Sequence, residues 1–245
     1  MRVSVILPAA GLGTRMSAGG ANPGAPKQFL ELRGIPILVH TLRVFMSLPA
    51  IEAIYIAVRK SEIPRLESLL KDYGIGEKAH IVGGGDTRQA SVANALAAVL
   101  MAEGGADDDI VLVHDAVRPL IDAAVIARTI EAVEAHGAAI VALPAVDTIK
   151  QVERTAHGAI IMSTIPREYV VLAQTPQGFR LGLLKKAFAE AEADGFAGTD
   201  ESSIAERAGV QVAVVPGTIE NFKITQQGDL DLAEFFLGQR EKVRG

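Results

Sequence analysis

Cysteine and tryptophan are absent from the 245 residues, and aromatic side chains make up only 4% of them. Without cysteine there is no disulfide and no thiolate metal site, which suits a reducing cytoplasm, where we expect the protein. With so few rings the interior must be built from small aliphatic side chains, as in folds that alternate strands with helices. No apolar stretch approaches the ~20 residues that cross a bilayer; the longest, Gly137 to Val146, is interrupted by Pro144. The N-terminal MRVSVILPAAG is too short in its apolar run for a signal-peptide core and is broken by Pro8 and Gly11, so it reads as a first strand. Positive charge is not in excess either. The 24 basic and 29 acidic residues leave a net charge of -5, which argues against a nucleic-acid partner while allowing a local anion site.

What is present is 49% hydrophobic content, enough for the core of a single domain spanning residues 1–245. Near-continuous apolar runs at Val3–Leu7, Ile54–Val58, Ala79–Val82, Ile110–Val113 and Ala139–Leu143 read as strands covered on both faces. Helical patterns lie between them at Ile37–Ser47, Glu62–Tyr73, Arg88–Ala102 and Ala123–His136, with Asp86, Thr87 and Asp122 as candidate caps. The alternation predicts an α/β fold with a mostly parallel sheet. It lapses from Asp147 to Gln174, which reads as two strands around a His157-Gly158 turn: an inserted β-arm, folded back or packed on a second copy. Helices at Leu181–Ala193 and Glu201–Ala208, a strand at Val210–Val215 and a closing helix at Gly228–Leu237 complete the pattern.

Three stretches carry chemistry. LPAAGLGTRMSAGGANPGAPKQF, Leu7 to Phe29, is a glycine-rich loop after a strand, where backbone N–H groups can converge on phosphate oxygens. It fails the Walker pattern at Lys27, which lies between Pro26 and Gln28, and the dinucleotide pattern at Met16, where a third glycine belongs. Arg15 and Lys27 at its two ends either clamp a polyanion or are solvated cations. In VLVHDAVRP, Asp115 stands just past a buried strand, where open α/β sheets collect ligands. It either holds Mg²⁺ through oxygen or caps a turn. His114 reads as a packed neighbour, and the other four histidines have no ligand spacing. In VGGGDTRQAS, three glycines either let a flat ring press on the backbone or make a tight turn. Lys223 in NFKIT would by itself be a surface cation, and Asp107-Asp108-Asp109 reads as a solvated loop.

Together AAGLGTRM, PKQFL, GGDTRQAS, HDAVRP, DTIK, AQTPQGF, TDESS and NFKIT, in this order from Ala9 to Thr225, resemble the 2-C-methyl-D-erythritol 4-phosphate cytidylyltransferases of non-mevalonate isoprenoid biosynthesis. The resemblance implies a Rossmann-like nucleotidyltransferase fold whose β-arm, 147–174, interlocks with a twin in a homodimer. It implies CTP and a polyol phosphate as partners and Mg²⁺ as cofactor. Arg15, Lys27 and Lys223 then match the catalytic cations, and Asp115 matches the acid that touches ribose and Mg²⁺. Ala9, Ala10, Gly11, Gly13, Gly85, Asp86, Ser91 and Ala116 match positions around CTP. Arg118, Asp147, Thr148, Arg167, Thr175 and Thr199 match acceptor-pocket positions, some reached across the dimer. Two departures stand out: extra residues between Met16 and Pro26, and Phe222 where a small aliphatic side chain is more frequent. The related ribitol-5-phosphate cytidylyltransferases share much of the series. A nicotinamide-dependent dehydrogenase and a non-catalytic nucleotide sensor are the alternatives from other classes.

Overall fold

The computed structural model describes residues 1–11, 26–102 and 105–244. Its strands are β1 (Val3–Pro8), β2 (Glu31–Leu32), β3 (Ile35–Pro36), β4 (Ile51–Val58), β5 (Ala79–Gly83), β6 (Ile110–Val113), β7 (Ala138–Pro144), β8 (Ile149–Thr155), β9 (Gly158–Ile165), β10 (Val171–Arg180) and β11 (Ala213–Pro216). The helices are α1 (Ile37–Met46), α2 (Ile63–Asp72), α3 (Arg88–Met101), α4 (Ala123–His136), α5 (Leu181–Ala193), α6 (Glu201–Arg207) and α7 (Gln227–Arg244). Seven strands form one sheet in the order β11-β7-β10-β6-β1-β4-β5. Neighbours pair in parallel except β10, which runs antiparallel to both β6 and β7.

The period-2 alternation of side chains divides the core in two. Val5 and Leu7 of β1, Ile54 and Ile56 of β4 and Leu112 of β6 face α1, α2 and α4, meeting Leu42, Phe45, Leu66 and Ile126. Ile6, Tyr55, Ala57, Val111 and Val113 face the other way, against Val92, Leu96, Leu184 and Ile204 of α3, α5 and α6. Each fully buried aliphatic side chain contributes about 1.5–3 kcal/mol, which is why strands this short stay in register. Helix starts follow the expected chemistry for two of the three candidate caps: Thr87 accepts from Ala90 N at 3.0 Å and Asp122 from Ala124 N at 2.8 Å. At the far end of α4, Gly137 takes φ +83°, a conformation that favours glycine, and its N–H closes the helix on Val133 O. No helix among the described residues is long and apolar enough to cross a membrane.

Four expectations need correction. The segment 147–174 does not all belong to the arm: β8 and β9 pair around the turn before Gly158, but Val171 to Ala173 already pair with Pro144 to Ala142 of the main sheet. The strand they begin, β10, was hidden because Gln174, Pro176 and Gln177 break the apolar run of a buried strand. Asp109 is not solvated: it is buried and accepts from Arg2 N at 2.7 Å and Ala106 N at 3.0 Å, tying the first strand to β6. The last strand also begins later than Val210, at Ala213, and the closing helix runs longer than Leu237.

Candidate active site

The site is built at the tip of β6. All four of its residues are buried, and burial continues past the strand end through His114 and Asp115, so the polar groups there must find their partners inside the chain. The neighbouring β10 breaks its ladder there: its pairing with β7 shifts register between Ala173 and Gln177, around Pro176, which has no N–H to give. The break turns Thr175 towards the tip of β6. Its hydroxyl accepts from Asp115 N at 3.0 Å and lies 3.0 Å from His114 Nδ1. Nε2 lies 3.2 Å from Arg118 O, which can only accept, so the neutral ring carries its proton there and Nδ1 accepts from the Thr175 hydroxyl. Burial pushes the His114 pKa down to about 4, keeping the ring neutral.

Asp115 is 6% exposed and surrounded by cations. Arg118 Nε lies 3.1 Å and Lys223 Nζ 3.1 Å from Oδ2, while Arg88 Nε lies 3.5 Å from Oδ1. Burial alone would raise its pKa, but the charges of Lys223, Arg88 and Arg118 win and hold the carboxyl well below the usual carboxylate range. The ring of groups closes on itself. Arg118 also donates to Asn221 O at 2.7 Å, and Asn221, two residues before Lys223, is completely buried and donates to Thr175 O at 2.7 Å. Lys223 is thus anchored on the same polar cluster as the acid it meets.

From Asp115 a cleft of about 310 Å³ runs between the first loop and the β5–α3 loop, lined by Ala9, Ala10, Gly11, Gly85, Asp86, Ser91, Ala116 and Lys27 among others. Glycine is required where the two loops meet. A Cβ on Gly84 would sit 2.6 Å from Ala10 Cβ, and one on Gly85 2.5 Å from Ala90 Cβ. Ser91, on the first turn of α3, accepts from Gly85 N at 3.1 Å and fixes that loop. Gln28 is buried and donates to Ala9 O, Arg59 donates to Ala10 O at 2.8 Å, and Lys27 Nζ donates to Thr225 O at 3.1 Å. The last bond links the far end of the glycine-rich loop to the Lys223 segment. The result is a cleft with backbone N–H and C=O groups at one end and converging cations at the other, fit for a base and a polyphosphate.

A family model described as IspD: 2-C-methyl-D-erythritol 4-phosphate cytidylyltransferase matches residues 3–239. The chain belongs to this cytidylyltransferase family. A 2-C-methyl-D-erythritol 4-phosphate cytidylyltransferase from Acidobacterium capsulatum is 68% identical over 98% of this chain and 99% of its own. One from Solibacter usitatus is 48% identical, covering 97% and 96%. The crystal structure of the Francisella tularensis enzyme of that name superposes with a TM-score of 0.78 at 34% identity, over 96% of this chain and 99% of that one.

Against the family pattern, the residues expected around CTP gather in one cleft: Ala9, Ala10, Gly11, Gly85, Asp86, Ser91, Asp115 and Ala116, together with Lys27 and Lys223. Gly13 and Arg15, with the lengthened stretch before Pro26, lie outside the described residues. The acceptor positions divide. Arg118 and Thr175 sit behind Asp115 and hold it, whereas Asp147, Thr148 and Arg167 are exposed at the foot of the arm, where Arg167 donates to Val146 O at 2.7 Å. Thr199 is exposed before α6, its N–H on Ser203 Oγ at 3.1 Å. Phe222 turns away from the cleft to pack near Phe236 of α7, ring centroids 6.2 Å apart, so this departure is a packing change that leaves Lys223 on Asp115. Arg59, Gln28, Asn221, Arg88 and Glu201 were not singled out from the sequence as site residues. The last two stand directly after the caps Thr87 and Asp200 within GGDTRQAS and TDESS, a signal available in the sequence.

Proposed function

We propose that the chain transfers CMP from CTP to 2-C-methyl-D-erythritol 4-phosphate, giving 4-CDP-2-C-methyl-D-erythritol and pyrophosphate. The observation that carries this is Asp115 at a buried strand tip beside Lys223, in one cleft with Ala9, Ala10, Gly11 and Gly85, small residues that leave room for a flat base. An oxygen of the acceptor's phosphate attacks the α-phosphorus in line as the bond to the pyrophosphate oxygen breaks, and the electron pair leaves with pyrophosphate. That nucleophile is already an anion at neutral pH, so no general base is needed. His114, neutral and with both ring nitrogens occupied, fits such a site. Lys223 and Lys27 offset the charge on the phosphates, joined by Arg15 from the glycine-rich loop. Ala9, Ala10, Gly85, Asp86 and Ser91 seat the cytosine, and Asp115 orients the ribose.

Mg²⁺ fits this donor set as a cation that takes one or two carboxylates and completes its shell with phosphate oxygens and water. Asp115 Oδ1, which Arg88 Nε faces at 3.5 Å while Arg118 and Lys223 stand at 3.1 Å from Oδ2, is the atom that would hold it. Among the described residues no three His, Cys, Asp or Glu side chains gather into a fuller cage. When bound, the ion neutralises charge on the nucleotide's phosphate oxygens.

The acceptor pocket is completed in a homodimer. Every residue from Lys150 to Tyr169 is exposed, and Ile160, Ile161 and Met162 are 59%, 61% and 60% accessible, which is apolar surface in want of a cover. Covered by a second arm, this surface would bring Asp147, Thr148 and Arg167 of one chain to the cleft of the other. The deciding measurement is pyrophosphate release from CTP and Mg²⁺ with each polyol phosphate in turn. We expect turnover with the methylerythritol phosphate. Equal turnover with ribitol 5-phosphate would overturn the acceptor assignment, and CTP bound yet intact with both would mark a non-catalytic binder.

A further inference from the structure

Glu201 is the first residue of α6, completely buried, and it receives both ends of the Arg88 guanidinium: NH1 to Oε1 at 2.6 Å and NH2 to Oε2 at 2.9 Å. This fork uses one N–H of each terminal nitrogen, and of the donors left over it is Nε that faces Asp115 Oδ1, at 3.5 Å. Arg88 opens α3 directly after the glycine loop, and the next residue repeats the link. Gln89 donates to Phe196 O at 3.1 Å and accepts from Gly198 N at 3.0 Å, so the start of α3 is bolted to the loop before α6. A fully buried carboxylate is a costly thing to keep in a fold, and an apolar residue could fill its volume. Here the cation that meets it is also a cation of the cleft, since Arg88 lines it.

We propose that Arg88 and Glu201 are a positioning pair for Asp115. Glu201 fixes the guanidinium through two bonds, and the fixed guanidinium sets the rotation of the Asp115 carboxylate from the Oδ1 side while Arg118 sets it from the Oδ2 side. Both residues act through Asp115, so they are separate from the cations that meet phosphate. The fork also keeps Arg88 from swinging fully onto Oδ1, the oxygen that the proposed function gives to Mg²⁺, and the inference rests on that assignment.

The test measures how much Mg²⁺ strengthens CTP binding, by calorimetry in Mg²⁺ and in EDTA with no acceptor present, alongside thermal unfolding. In Glu201→Gln, which keeps the shape and removes the charge, we expect the Mg²⁺-dependent gain in affinity to fall by about tenfold, the scale of losing a residue that orients a ligand. Arg88→Met combined with Glu201→Leu replaces the pair by apolar volume, a change that folds tolerate. It should unfold near the wild-type temperature and still lose the gain. A wild-type gain in both variants would overturn the pair, provided Asp115→Asn abolishes it. A wild-type gain in Asp115→Asn would overturn the Asp115 assignment itself, and the pair with it.

Discussion

The tip of β6 and the β8–β9 arm are opposite kinds of surface. At the tip, Asp115, Arg118, Arg88, Glu201 and Lys223 find their counter-charges within one chain, at 2.6 to 3.5 Å. Along the arm the side chains from Lys150 to Tyr169 all face solvent, apolar ones included. The first region is finished by folding, and the second, in the homodimer proposed above, by another molecule. Damage to the tip should therefore act at any protein concentration, and damage to the arm only where dilution lets the chains part.

Lys223→Ala gives the largest break. Removing the cation that the proposed mechanism sets against the developing phosphate charge should lower kcat/KM by about a hundredfold, roughly 3 kcal/mol, by analogy with a lost oxyanion donor. Steady-state rates over a wide range of enzyme concentration check this; recovery of activity at high concentration would move Lys223 to the arm's side of the comparison.

Acid probes the same tip from inside. His114 has its pKa lowered from 6.5 to about 4 in the folded chain, so between these values the unfolded chain binds the proton and the folded one does not. Stability is full above pH 6.5 and falls as pH drops towards 4, by on the order of 3 kcal/mol. Asp115, whose pKa is depressed, contributes stability above the ordinary carboxylate range and loses it only at still lower pH. His114→Gln should flatten the decline between pH 6.5 and 4 in denaturant titrations; a slope like the wild type's would contradict the neutral, buried ring.

For the arm, Ile161→Asp places a charge in the apolar row and should weaken the proposed dimer by about 2 kcal/mol, roughly thirtyfold, on the scale of one buried aliphatic side chain. Sedimentation should show a dimer for the wild type and monomer for the variant at the same concentration, with the unfolding temperature of the monomer unchanged; a monomeric wild type would overturn the proposed dimer. The smallest effect falls on Thr87→Ala, which removes the cap of α3. About 1 kcal/mol of stability should be lost, a drop of a few degrees in Tm, because Ala90 N loses its acceptor.

Most of the sheet was readable because β1, β4, β6 and β7 are short, doubly covered apolar runs between amphipathic helices. The helices α4 and α5 begin and end where their patterns do. β10 was not readable, since a central strand carrying Gln174, Thr175, Pro176 and Gln177 is polar for the sake of the site and not of the core. At the site, motifs placed Asp115, Lys27 and Lys223 in one cleft. The bond from Glu201 to Arg88 spans 113 residues, and no local spacing announces a pairing so distant. Asp109 was misread for a related reason: three acids in a row look solvated, and only the fold shows that one of them receives Arg2 N. Gly13 and Arg15 lie outside the described residues, so their part in the cleft rests on the motif they share with the family.

The antiparallel strand has one more consequence. The parallel groups β11–β7 and β6–β1–β4–β5 meet only across β10, which begins at the foot of the arm and seats Asp115 through Thr175 a few residues on. The sheet has a seam, and the arm is fastened to it. Mechanically, the arm would be a handle: were the proposed partner seated on β9, β10 is the strand that runs from the foot of the arm, at Val171, to Thr175 and the Asp115 it seats.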